Sequence, residues 1–148
     1  MKYLKLLIFV LIGSFSQAQQ EKNILHNIIE AVSENRLNED IKTLANFGTR
    51  HTLSDTLSTT RGIGAARRWI KTEFETISKK CNNCLEVFYQ KNLVKSGENN
   101  RIIKDVWVVN VVAIQRGTKH PNRFIVMSGD IDSRVSDPNN FISDSPGA

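Results

Sequence analysis

Ile24, Leu25, Ile28, Ile29 and Val32 recur at steps of three and four, the spacing of one helical face, and predict a first helix. The stretch RLNEDIKTLANFG predicts a second, short helix, with Asn38 as N-cap and Glu39 and Asp40 in its first turn. Ile41, Leu44, Ala45 and Phe47 would face inward and Gly48 would stop it, following the usual start and stop signals. Residues 49–61, TRHTLSDTLSTTR, are polar, follow neither period and read as an irregular connection. From Gly62 to Lys79 the apolar positions Ile63, Ala66, Ile70, Phe74 and Ile77 predict an amphipathic helix widened by Trp69. Arg67, Arg68, Lys71, Glu73 and Glu75 take mostly other angles and read as its solvated face, while Trp69 and Phe74 read as core.

The period then changes. LEVFYQ has the β-branched and aromatic content of a strand, and KSGENN marks a turn or loop. Val106 to Ile114 is almost continuously apolar, which predicts a central strand covered on both faces. Gly117 and Pro121 interrupt the run and RFIVMS resumes it, so these two runs are expected to pair antiparallel across a short loop. Helices followed by buried strands imply a layered α/β domain.

Residues 1–20 begin with Lys2 and Lys5, continue through an apolar stretch from Leu6 to Ile12 and reach Ser16 and Ala18. That is the pattern of a signal peptide cleaved after Ala18. Residues 1–18 are therefore expected to be a leader and 19–148 the mature chain, exported to the periplasm or outside the cell. The apolar stretch is shorter than the ~20 residues a spanning helix needs, so no stable membrane insertion is expected after cleavage. Losing Lys2 and Lys5 lowers the formal charge from +5 to +3. So small an excess, without exposed aromatics interleaved among the basic residues, argues against a nucleic-acid partner.

Cys81 and Cys84 form CNNC, which in an exported chain is a candidate disulfide. His26, His51 and His120 lack ligand spacing to this pair. The motif follows a helix instead of opening one, so it reads as a structural staple, with a redox motif as the alternative.

The remaining chemistry lies in VMSGDIDSR, where Asp130 and Asp132 follow an apolar run. Residues two apart in extended chain point the same way, and ligands of α/β sheets gather at the carboxyl ends of strands. Two unpaired carboxylates there would repel, and a bound cation would remove the conflict. A polar loop whose Asp130, Asp132 and Asp137 cap turns is the alternative on spacing alone.

Several segments in order, LANFGTRHTLSDT, GIGAARRWIKTEFE, NVVAIQRGT, FIVMSGDIDSR and SDSPGA, together resemble the N-terminal part of secreted zinc aminopeptidases of metallopeptidase family 28, in the di-zinc exopeptidase clan. The resemblance implies a mixed β-sheet sandwiched by helices, of which this chain holds the N-terminal helices and first strands. It also implies two zinc ions in the full-length protein and peptide substrates. Members carry Gly-His-x-Asp-Ser, matched here by Gly129-Asp130-Ile131-Asp132-Ser133. Asp132 falls on the position that orients a metal ligand, and Asp130 replaces the ligand His. Gly147 and Ala148 match the start of the next motif, Gly-Ala-x-Asp, and the other metal-binding and catalytic positions lie past Ala148. The chain by itself is expected to be inactive and to hold no zinc. Alternatives are a glutaminyl cyclase-like zinc acyltransferase, or a non-catalytic binding domain that lost a ligand at Asp130.

Overall fold

The computed structural model describes residues 23–98, 100, 102–137, 140 and 142–145. The expected leader at 1–18 lies outside the described residues, as do Gly147 and Ala148. The chain divides into two compact units, Met1–Glu39 and Asp40–Ala148. Within the first, residues 23–30 form helix α1, whose Ile24, Leu25, Ile28 and Ile29 are exposed. His26 and Glu30 lie one turn apart on it, 3.2 Å from each other.

Helix α2 spans Glu34–Asn46 and starts earlier than the N-cap signal at Asn38 predicted. Ser33 supplies the cap: its Oγ accepts the Arg36 N–H at 3.2 Å, and its carbonyl accepts the Leu37 N–H at 3.1 Å. A serine hydroxyl satisfies the free N–H groups of a first turn as well as an asparagine amide, and the turn that precedes α2 places Ser33 there first. Gly48 ends the helix as expected, with φ 66°, a left-handed conformation that costs glycine little.

Helix α3, Gly62–Lys80, matches its predicted span. The residue before it, Arg61, makes no side-chain cap. The preceding loop does the capping instead: the N–H groups of Gly62, Ile63 and Gly64 donate to Phe47 O (2.8 Å), Ser54 Oγ (3.0 Å) and Asp55 O (3.0 Å). This approach leaves no room for side chains, since a Cβ on Gly64 would lie 2.2 Å from the Thr56 carbonyl oxygen. The loop is itself tied into an Asx turn, with the Asp55 carboxylate accepting the N–H groups of Leu57 (2.7 Å) and Ser58 (2.9 Å). Residues 49–61, read as an irregular connection, therefore form the socket into which α3 is set.

At the other end of α3, Asn82 and Asn83 adopt φ of 59° and 60° and turn the chain back. The buried Ser78 hydroxyl bridges the turn by donating to Leu85 O and accepting from Leu85 N. A Cys81–Cys84 disulfide closes the same turn with a Cα–Cα distance of 5.4 Å.

Strands β1, Glu86–Val94, and β2, Val106–Ile114, pair antiparallel from Glu86 opposite Ile114 to Val94 opposite Val106. This differs from the expected pairing of β2 with RFIVMS. That segment takes no strand conformation, and Phe124, Ile125, Val126 and Met127 are largely exposed. Local features favour the observed partner. The Lys95 ammonium meets the Asp105 carboxylate at 2.7 Å, closing the loop where the strands part, and Gln90 and Asn110 join across the ladder. β2 is likewise not covered on both faces: Val106 is buried while Trp107 and Asn110 are exposed.

α3 packs against both strands. The buried apolar residues among those described, Ile63, Ala65, Ala66 and Val106, belong to the first turns of α3 and the start of β2. Trp69 packs 6.1 Å from Phe47 between ring centroids. The described residues are thus α/β, with three helices and a two-stranded antiparallel sheet. No helix among them is long and apolar enough to cross a membrane.

Candidate functional site

From Asp130 to Val135 exposure alternates: Ile131, Ser133 and Val135 are half-buried, and Asp130, Asp132 and Arg134 are exposed. Extended backbone produces that alternation, so both carboxylates share the solvent-facing side although the segment belongs to no sheet.

Arg50 holds the inner side. This arginine is wholly buried. Its backbone N–H donates to Ser133 O at 2.7 Å and its Nε to Ile131 O at 2.8 Å. One terminal nitrogen serves Ser145 O at 2.8 Å, Gly48 O at 3.4 Å and the Leu44 carbonyl. A single guanidinium thereby joins the last turn of α2, the Asp130–Ser133 segment and Ser145. The neighbours reinforce it, with Ser133 Oγ bonded to Ser145 Oγ at 2.8 Å and Thr49 Oγ1 accepting the Val135 N–H at 3.3 Å. Arg61 adds a parallel tie by donating to Asn46 O at 2.8 Å and Ile142 O at 2.6 Å.

Burial pushes the Arg50 pKa down, and the nearby Asp132 carboxylate pushes it back up. Asp132 thus has a cation at hand from within the chain. Asp130 lies in solvent.

Zinc in catalytic sites commonly takes three protein ligands, and the described residues hold no group of three or more His, Cys, Asp or Glu side chains placed to share a metal ion. His51, the histidine nearest Arg50 in sequence, accepts the Leu53 N–H on Nδ1 at 3.2 Å. The donor set among the described residues does not fit a complete zinc site.

One basic residue departs from its expected place. Arg67, assigned to the solvated face of α3, is only 7% exposed. It lines a cleft of about 810 Å³ between the start of α3 and the β1–β2 hairpin. The helix is embedded at that end, so a position that periodicity assigns to solvent is covered by the hairpin.

No protein-family model matches the chain, and no solved structure matches it. Curated sequences do. A protein named probable zinc metalloprotease from Phaeosphaeria nodorum is 36% identical over 137 residues, which cover 93% of this chain and 28% of that protein. A second so named, from Pyrenophora teres f. teres, is 41% identical over 124 residues, 84% of this chain and 25% of the relative. This chain is similar to probable zinc metalloproteases. A third, from Pyricularia oryzae, is 39% identical over 137 residues, 93% of the chain and 27% of the relative. The chain spans less than a third of the length of these curated relatives.

Proposed function

We propose that this chain is the N-terminal portion of an exported zinc metallopeptidase, an aminopeptidase of metallopeptidase family 28 acting on peptide N-termini. The identity of 36–41% to probable zinc metalloproteases over most of the chain carries the reading. The Cys81–Cys84 disulfide supports export, since such bonds persist in oxidising compartments.

In this reading Asp130 is a metal ligand and Asp132 its orienting neighbour, and the rest of the ligand set comes from elsewhere in the whole protein. Zinc supplies a polarised carbonyl and an activated water in hydrolysis of this kind. The part played by the residues described here is positional. Arg50 fixes the backbone beneath Asp130 and Asp132 and sets a positive charge next to Asp132, leaving the Asp130 carboxylate free to face a ligand.

The test is metal content and turnover of an aminoacyl-anilide by the whole protein, compared with its Asp130→Ala and Asp132→Asn variants. Loss of zinc in the first, and a fall of roughly 10- to 100-fold in activity or affinity in the second, are expected for a ligand and its supporting partner. Unchanged zinc content and unchanged turnover in both variants would refute the assignment. Absence of bound zinc from the whole wild-type protein would instead support the rival reading, a binding domain of the same fold.

A further inference from the structure

The cleft lined by Arg67 lies apart from the Asp130 segment and has chemistry of its own. Arg67 Nε is buried and has no hydrogen-bond partner among the described residues. A buried unpartnered donor is costly, and more so on a charged group. Its surroundings add positive charge. Arg68, Lys91 and Lys104 also line the cleft. Arg68 spends its donors on the carbonyls of Thr56 and Ser58, and its charge acts on the Asp55 carboxylate outside the cleft wall. The acid on the wall, Asp105, is committed to Lys95 Nζ at 2.7 Å and to the Ser96 N–H at 2.9 Å. Burial lowers the Arg67 pKa, and the Tyr89 phenol opposes that shift.

The rest of the wall combines the hydroxyl-bearing Thr52, Ser54 and Thr56 with apolar and aromatic residues, including Leu53, Tyr89, Trp107 and Val109. The volume of about 810 Å³ falls within the ~300–1,000 Å³ of small-ligand pockets and has room for a few residues of peptide. A planar carboxylate suits a guanidinium, and an aliphatic side chain next to it would meet the aromatic wall.

We propose that this cleft binds acidic peptides, seating a side-chain carboxylate against Arg67 and a neighbouring apolar side chain against Tyr89 and Trp107. The inference is independent of the hydrolytic reading, because it requires neither metal nor turnover.

The test titrates the full chain with the capped peptides acetyl-Ala-Glu-Leu-Ala-amide and acetyl-Ala-Gln-Leu-Ala-amide, and with acetate, following binding by calorimetry and tryptophan fluorescence. The glutamate peptide should bind roughly tenfold more tightly than the glutamine peptide, the scale of one charge-assisted hydrogen bond, and should perturb Trp107 emission. Arg67→Gln should abolish that preference. Lys104→Ala, an exposed change that leaves the fold in place, should weaken the glutamate peptide about two- to threefold and leave the glutamine peptide unaffected. Equal affinity for the two peptides, no binding of either, or a preference undiminished in Lys104→Ala and Arg67→Gln overturns the proposal. Acetate binding as tightly as the glutamate peptide overturns the peptide assignment and leaves a site for free carboxylates.

Discussion

Replacing Arg50 with methionine keeps an unbranched apolar stem, shorter than the original side chain, and removes the donors and charge. Four carbonyls, those of Leu44, Gly48, Ile131 and Ser145, then lose the guanidinium. Each buried acceptor left unmet costs about 1–3 kcal/mol. The Gly48 and Ser145 contacts are buried and the other two are partly buried, so water can rescue some of the loss. The 3.4 Å contact to Gly48 is weak. Ser145 O keeps the Ser133 hydroxyl at 2.9 Å and Leu44 O keeps the Phe47 N–H at 3.2 Å, so one unmet acceptor at Ile131 and fractions of the rest give roughly 2–3 kcal/mol. Arg50→Lys keeps the charge but cannot span all four carbonyls, so about half that loss is expected, in keeping with the distinct geometries of the two cations. Urea unfolding followed by circular dichroism measures the stability change. Hydrogen exchange locates it: protection should fall at residues 131–135 and 142–145 and persist across β1 and β2. A loss below about 1 kcal/mol in Arg50→Met, or a loss spread evenly over the hairpin, would show that this arginine does not tie the Asp130 segment in place.

Gly64→Ala separates helix propensity from packing: propensity alone predicts a gain of about 1 kcal/mol, whereas the 2.2 Å approach to the Thr56 carbonyl predicts a net loss near 2 kcal/mol, and a neutral or stabilised variant in thermal melts would discount the contact. The Asp55 pKa is held below its ordinary 3.8 first by the Ser58 N–H and then by that of Leu57, so its carboxylate stabilises the fold above that value and the contribution disappears as pH falls through the lower folded-state pKa. The stability gap between wild type and Asp55→Asn should therefore be constant at neutral pH and narrow below about pH 4, and a gap that widens on acidification would reverse the assigned sign.

Periodicity made α3 and β2 legible almost to the residue, because both are set by apolar positions and bounded by glycine or by charged residues. It misplaced the start of α2, since Ser33 and Asn38 carry equivalent capping chemistry and only the chain path chooses between them. The partner of β2 was also obscure. RFIVMS is the more apolar candidate, yet polar and charged residues such as Lys95, Asp105, Gln90 and Asn110 fix the register with β1. Arg50 gave no local signal at all: its partners Ile131 and Ser145 lie 81 and 95 residues away, a separation that no window of sequence reports. Arg67 misled for the opposite reason, because helical angle describes a helix lying on a surface and not one whose first turns are embedded. The Asp130–Asp132 pair was visible from its spacing, but the cation beside Asp132 was not.

The way α3 begins has a consequence for how the chain acquires its shape. Nucleating a helix is unfavourable in isolation, and this one carries no start signal next to it in sequence; its first amides find acceptors only after Phe47, Ser54 and Asp55 have arrived. Winding of that segment and ordering of the polar stretch upstream are consequently a single event. A peptide cut out as 62–80 should be a poor helix in water, while one extended back to 47 carries its own initiator.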